Sequence, residues 1–187
     1  MRVISGKFKG RNIISPSHGE VRPTTDLVKG SLFSILSSKG LVAGSDWLDL
    51  FCGTGSVGIE ALSRGASSCV FVDKDTSNAS INLDKIGLKC RLVCAEFRRA
   101  MRLIKDGKFD VIFCDPPYKS GYGEIALGLA LKYDILKPGG VIIIEHSSEN
   151  DLINIPENCI IDKRIFGATA LSFVSRGGDD GSVCGDV

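Results

Sequence analysis

The chain has 187 residues, with 23 Lys and Arg against 22 Asp and Glu, 43% hydrophobic and 24% charged residues. That balance describes a single ordinary globular domain with a well-buried core and excludes a low-complexity or strongly charged chain. No apolar run is long enough to span a bilayer and MRVISGKFKG lacks the apolar stretch of a signal peptide, so a cytoplasmic protein is expected, with no membrane partner. The seven cysteines are odd in number, show no CxxC spacing and have mostly apolar neighbours. They read as packing residues of a reducing compartment, with no metal site expected.

In chain order, RVIS and NIIS flank GKFKGR and predict a short basic β-hairpin. Arg2, Lys7, Lys9, Arg11, Arg22 and Lys29 crowd the first thirty residues against only Glu20 and Asp26, which suits either an anion or a solvated arm. After the linker SPSHGEVRPTT, Asp26 is expected to cap a helix over LVKGSLFSILSS, with Leu27, Leu32, Phe33, Ile35 and Leu36 on its apolar face; Gly30 weakens that helix. From about residue 46, short apolar runs alternate with helical segments: DWLDLF, SVGIEALSRG, CVFVD, a helix near 75 to 87, CRLVCAE, a helix near 97 to 105, FDVIFCD, a helix near 122 to 136, and VIIIE. Continuous apolar strands separated by helices imply an α/β fold with a parallel sheet covered on both faces. NCIIDKRIFGATALSFVS adds two antiparallel edge strands, giving a mostly parallel seven-stranded sheet. The expected organisation is a basic hairpin and helix over residues 1–40, a core over 41–176 and a disordered tail over 177–187.

DLFCGTGSVGIEAL follows the first strand and opens a helix, and Gly53, Gly55 and Gly58 within it spell GxGxxG. Asp73 ends the next strand, where a carboxylate can accept from both ribose hydroxyls of a nucleoside cofactor. NAD and S-adenosylmethionine both fit such a loop. Asp49 would repel a pyrophosphate but could pair with the ammonium of a methionine moiety, so it favours S-adenosylmethionine, unless Asp49 only braces the loop. At the end of the third strand Glu96 could accept from an adenine amino group, with backbone near Ala95 against the ring, or Glu96 could serve only as the acid at a helix start.

CDPPYKS leaves the fourth strand beside this loop. The amino group of a base or amide is a poor nucleophile because its lone pair is delocalised, and two acceptors on its hydrogens can aim that lone pair at a methyl carbon. Asp115 supplies one acceptor and the Pro116 carbonyl the other, Pro117 restricts the backbone, and Tyr118 offers a face on which a base can stack. The competing reading is a rigid turn with a satisfied acid. Cys114 reads as packing, since it lacks the Pro-Cys order of cytosine-C5 chemistry.

MRVISGKFKGR, RPTTDLVKGSLFSIL, DLFCGTGSVGIEALSRGA, FCDPPY and FGATALSFV together resemble the RsmD family, within the (D/N)PP(Y/F) class of S-adenosylmethionine-dependent methyltransferases. The resemblance covers all but the tail. It implies a Rossmann-like class I methyltransferase fold, methylation of guanine N2 in small-subunit rRNA (guanine 966 of 16S rRNA), and a monomer with no protein partner that acts on 16S rRNA or the assembling small subunit. It further implies Asp115, Pro116, Pro117 and Tyr118 as catalytic, and Asp49, Phe51, Gly53, Gly55, Asp73, Ala95 and Glu96 around S-adenosylmethionine. Arg2, Lys7, Lys9, Arg11 and Arg22 would hold RNA phosphates. Gly30 departs from the acidic residue usual in the family, and the tail is peculiar to this chain. Methylation of adenine N6 or a glutamine amide, a non-catalytic rRNA-binding assembly factor and a dehydrogenase are the alternatives.

Overall fold

The computed structural model describes residues 1–14, 26–117 and 120–177, so the linker with His18 and Arg22, the residue Tyr118 and all of the expected disordered tail after Gly177 lie outside the described residues. The elements run α1 (Asp26–Ser38), β1 (Asp46–Leu50), α2 (Ser56–Ser63), β2 (Ser68–Asp73), α3 (Ser77–Ile86), β3 (Arg91–Cys94), α4 (Phe97–Leu103), β4 (Phe109–Cys114), α5 (Tyr122–Lys132), β5 (Leu136–Ser147), β6 (Cys159–Phe166) and β7 (Thr169–Arg176). One seven-stranded sheet has the order β3-β2-β1-β4-β5-β7-β6. Its first five strands are parallel, and β7 runs antiparallel to both β5 and β6. This is the mostly parallel sheet with an antiparallel edge pair, and the Rossmann-like class I methyltransferase fold, anticipated above.

Strand alternation sorts the core into two layers. Trp47, Phe71, Phe113, Ile143 and Leu171 face one way, against α1, α2 and α3. Leu48, Leu50, Val72, Ile112, Ile142 and Ile144 face the other, against α4 and α5. On the first side Phe33 stacks on Trp47 with ring centroids 5.4 Å apart, which seats α1 on β1. From β1 the chain steps outward through β2 to β3 and then returns to β4 on the other side of β1. The crevice above β1 and β4 is therefore the place where open α/β sheets bind ligands.

Two local expectations need correction. Leu27 is 73% exposed and off the apolar face of α1, because the buried stripe runs through Val28, Lys29, Leu32, Phe33 and Leu36. Lys29 tolerates full burial there since its ammonium donates to the Arg2 carbonyl (3.1 Å) and lies 3.9 Å from Glu60. Helix α5 stops at Lys132, short of residue 136: Asp134 has φ 51, and Leu136 instead pairs with Phe109 in the sheet. The following KPGG is absorbed into β5 as a register irregularity between Phe109 and Val111. The N-terminal hairpin forms as expected: Arg2 bridges Asn12, the Val3 N–H donates to the Arg11 carbonyl (3.0 Å), the Gly10 N–H to the Val3 carbonyl (2.9 Å) and the Ile13 N–H to the Met1 carbonyl (2.9 Å).

The paired arms are docked on the body by a backbone bond from the Lys7 N–H to the Ser63 carbonyl (2.7 Å) and by side-chain chemistry. Val3 and Ile13 are buried in the α1–α3 layer of the core. The fully buried Glu60 of α2 accepts from the backbone N–H of Ile4 (2.7 Å) and Ser5 (3.0 Å) and from Arg64 Nε (2.7 Å). Ser63 Oγ donates to the Ser5 carbonyl and accepts from the Phe8 N–H. Gly6, at φ +82, passes so close that a Cβ would stand 1.8 Å from the Ser63 carbonyl oxygen, so only glycine fits. Arg2, Lys7, Lys9 and Arg11 of this docked segment stay exposed.

Among the described residues no helix is long and apolar enough to cross a membrane. Glu60→Ala removes the buried carboxylate that faces the fully buried Lys29 ammonium and the acceptor of the Ile4 and Ser5 N–H groups. The expected cost is about 3 kcal/mol or more, read from urea unfolding; a loss near zero would show that Glu60 is dispensable for docking.

Candidate active site

The loop after β1 is shaped by three left-handed residues, Phe51 (φ 64), Gly53 (φ 51) and Gly55 (φ 74). The first is costly for a residue with a side chain, and such strain is tolerated where the surroundings enforce it. Gly53 donates its N–H to Asp73 Oδ2 at 2.8 Å, and a Cβ on Gly53 would meet nothing within 4 Å. The strand-end carboxylate of β2 thus fixes the turn, and the turn leaves room for a ligand against its backbone. Gly58 has a different reason: a Cβ there would fall 2.4 Å from the Phe71 ring, so the third glycine lets α2 lie directly on β2.

Asp49 is fully buried at the end of β1 and accepts from the Gly58 N–H at 2.9 Å. Burial pushes its carboxyl up to about 7, partly offset by that hydrogen bond and reinforced by the charge of Asp73. Asp49 therefore does brace the helix start, and it does so at an electrostatic cost that a nearby cation would relieve.

Ala95 donates its N–H to the Asp73 carbonyl (2.9 Å), which holds the β3 loop against the β2 loop. Glu96 is the N-cap of α4, accepting from Arg98 N (3.0 Å) and Arg99 N (3.4 Å) and pairing with Arg98 Nη1 at 2.9 Å. Its side chain is still 54% exposed, so capping does not consume it. Sequence reading missed the wall beside it. Phe51, Phe97 and Tyr122 cluster with centroids 5.0 to 6.3 Å apart, and the Arg98 guanidinium lies 4.5 Å over Phe97 and 5.0 Å over Tyr122.

Asp115 follows β4 directly, and its N–H donates to the Leu50 carbonyl at 3.3 Å, which ties the acceptor loop to β1. Burial, then the charges of Glu145 and Asp49, hold its carboxyl well above the usual carboxylate range. Glu145, which sequence reading passed over as the end of VIIIE, is buried at the end of β5. Register explains the grouping: Asp49 pairs with Phe113 and Phe113 with Ile143, so Asp49, Asp115 and Glu145 share one face of three neighbouring strands. Pro116 is buried and Pro117 exposed. Gly123 lies beneath them, where a Cβ would meet Ile144 at 2.7 Å.

A cavity of about 400 Å³ opens on the α5 side of this loop, bounded by Pro116, Pro117, Tyr122, Glu145, His146 and Leu152. His146 is pinned at its mouth: Nδ1 donates to the Ser147 carbonyl at 2.9 Å, and Nε2 lies 2.8 Å from Ser172 Oγ. Cys114 is fully buried, and desolvation followed by the charge of Asp115 pushes its thiol far up, which leaves no thiolate to act as a nucleophile.

Asn82, on α3, also went unread. It is fully buried, its Oδ1 accepts from the Ile14 N–H at 2.8 Å, and its Nδ2 donates to the Thr54 carbonyl at 2.9 Å. The available signal was the helical period, which puts position 82 on the stripe of Ala79, Leu83 and Ile86, where a polar residue needs partners.

The chemistry of these groups suits a nucleoside bearing a positive charge: a ribose acceptor at Asp73, an open glycine turn, and an acid where a dinucleotide would place its pyrophosphate.

Asp49 makes a signed prediction. Between about pH 4 and about 7 the unfolded chain sheds this proton while the folded one keeps it, so its contribution lowers stability as pH rises through that window. Asn at this position can still accept from Gly58. Asp49→Asn should therefore be more stable than the parent in urea at pH 8, by up to about 4 kcal/mol, with the gain vanishing near pH 4; a gain equal at both values would reject the burial account.

Three comparisons with known proteins show what the chain is similar to. The family model described as Conserved hypothetical protein 95 matches residues 1–175. YlbH of Bacillus subtilis is 34% identical over 186 residues, 95% of this chain and 100% of that one. Ribosomal RNA small subunit methyltransferase D of Haemophilus influenzae is 34% identical over 165 residues, 84% of each chain. Among solved structures, yhhF of Escherichia coli superposes with a TM-score of 0.82 at 29% identity, covering 95% of this chain and 98% of that one. The chain belongs to the Conserved hypothetical protein 95 family, which is the RsmD family.

Proposed function

We propose that the protein transfers a methyl group from S-adenosylmethionine to the exocyclic N2 of a guanine in small-subunit rRNA, the family's guanine 966 of 16S rRNA. The observation that carries this reading is the placement of Asp115 and Pro116 at the end of β4, tied to β1 beside the glycine turn, so that acceptor and donor loops share one crevice. Its support from relatives is the rRNA methyltransferase function named for the Haemophilus influenzae protein.

S-adenosylmethionine brings a methyl group made electrophilic by its sulfonium. Asp49 would face the ammonium, directly or through water, while Asp73 accepts from the ribose hydroxyls and Gly53 and Gly55 let the backbone approach. Phe51, Ala95 and Glu96 would border the adenine. On the acceptor side Asp115 and the Pro116 carbonyl accept from the two amino hydrogens, Pro117 stiffens the turn, and Tyr118 supplies the stacking face. Bound at the glycine turn, S-adenosylmethionine would supply an electrophilic methyl carbon to the nitrogen lone pair and a neutral thioether as leaving group. The proton that the nitrogen then sheds passes to Asp115 or water, and a carboxyl held above the ordinary range is suited to receive it. Arg2, Lys7, Lys9 and Arg11, joined by Arg22, would hold RNA phosphates without reading sequence.

The test supplies labelled S-adenosylmethionine, the recombinant protein and undermethylated small subunits, followed by nucleoside analysis. N2-methylguanosine is expected; label in N6-methyladenosine or in protein would replace the guanine assignment. Asp115→Ala should lower kcat by about 100-fold or more while S-adenosylhomocysteine still raises the melting temperature. Full turnover in that variant would remove Asp115 from the mechanism.

A further inference from the structure

The basic hairpin and the cofactor loop touch the same two helices. Glu60 and Ser63 of α2 hold Ile4, Ser5 and Phe8, and α2 opens from the glycine turn, with its Gly58 N–H on Asp49. On α3, Arg11 Nη1 reaches the Lys85 carbonyl at 3.4 Å. Asn82 closes the circuit: one amide side chain holds the end of the hairpin through both Ile14 N–H (2.8 Å) and Ile14 carbonyl (3.4 Å), and holds the cofactor loop through the Thr54 carbonyl (2.9 Å). Positions 14, 54 and 82 are far apart in sequence, so no local turn accounts for the junction.

We propose that Asn82 is a positioning residue that couples the RNA-binding hairpin to the cofactor loop, so that RNA and the methyl donor each tighten the binding of the other. This rests on the functional reading above, in which the hairpin holds RNA and the glycine turn holds the donor. A buried amide with its groups paired can satisfy all of its partners only when Ile14 and Thr54 are both in place. A ligand that orders one of these segments spares the second ligand the entropy of ordering the other. Linkage then requires that the effect be the same in both directions. The alternative role for Asn82 is a plain structural brace, which would weaken each binding event separately and leave their ratio alone.

The decisive quantity is that ratio. The dissociation constant of labelled S-adenosylhomocysteine is measured by equilibrium dialysis on the full chain, alone and saturated with undermethylated small subunits. Wild type should bind about fivefold or more tightly with the subunits present. In Asn82→Ala both ligands should still bind but the ratio should fall toward one. Asn82→Asp keeps an acceptor for the Ile14 N–H and loses the donor to Thr54, so it too should lose the coupling, and it supplies the answer if the alanine variant fails to fold. A wild-type ratio of one, or a full ratio retained in either variant, overturns the coupling. Failure of wild type to bind one ligand in the single-ligand controls overturns the functional reading itself, and the inference with it.

Discussion

Two acids share the crevice above β1 and β4 under conditions that oppose their ionisation. Asp49 is fully buried and Asp115 is largely desolvated, and each lies within the field of other carboxylates, Asp73 for the first and Glu145 for the second. Much of the nearby architecture follows from keeping them there. The Gly58 N–H is spent on Asp49, which requires α2 to start directly over β1; that in turn requires Gly58 to pack without a side chain on Phe71. The parallel register of β1, β4 and β5 puts Asp49, Asp115 and Glu145 on one face. Such a grouping is unfavourable for a fold considered by itself and sensible for a site whose proposed donor carries positive charge and whose acceptor presents N–H groups.

Charge is segregated accordingly. The cations Arg2, Lys7, Lys9 and Arg11 are exposed on the hairpin, and the acids Asp49, Asp115 and Glu145 lie at the strand ends. A phosphate backbone is drawn to the first surface and repelled from the second. In the proposed complex only a base, turned out of its stack with its amino edge forward, can enter the crevice without bringing a phosphate with it.

Much of this was legible in the sequence, and for identifiable reasons. Continuous apolar strands such as VIIIE and FDVIF, alternating with helices, fix a parallel sheet, and GxGxxG and DPPY sit at strand ends where the sheet places ligands. The failures share a cause. Leu27, Lys29, Glu60 and Asn82 were misjudged or passed over because helical periodicity ranks positions by hydrophobicity, whereas Lys29, Glu60 and Asn82 are polar side chains buried by long-range partners. Those partners, Arg2, Ile4 and Ile14, lie on the hairpin, 27 to 68 positions away in the chain. Likewise the aromatic wall joins Phe51 of the loop after β1 to the first residues of α4 and α5, Phe97 and Tyr122, and leaves no trace in any one of these segments. Glu96 showed the opposite limit: both of its readings were visible, and the structure realises the capping one without excluding the other.

The hairpin is therefore part of the catalytic body. Val3 and Ile13 belong to the same core layer as Trp47 and Phe71, and the polar clamps at Glu60, Ser63 and Asn82 fix its path relative to α2 and α3. Positioning is what a direct methyl transfer of the proposed kind chiefly needs, because displacement by about 1 Å can cost a large factor in rate. An arm attached through a flexible linker would hold RNA near the site and leave the base to find its angle. Bolted to α2, which opens from the glycine turn, and to α3, the same arm would in the proposed complex set the distance from bound phosphates to Asp115 as a property of the fold.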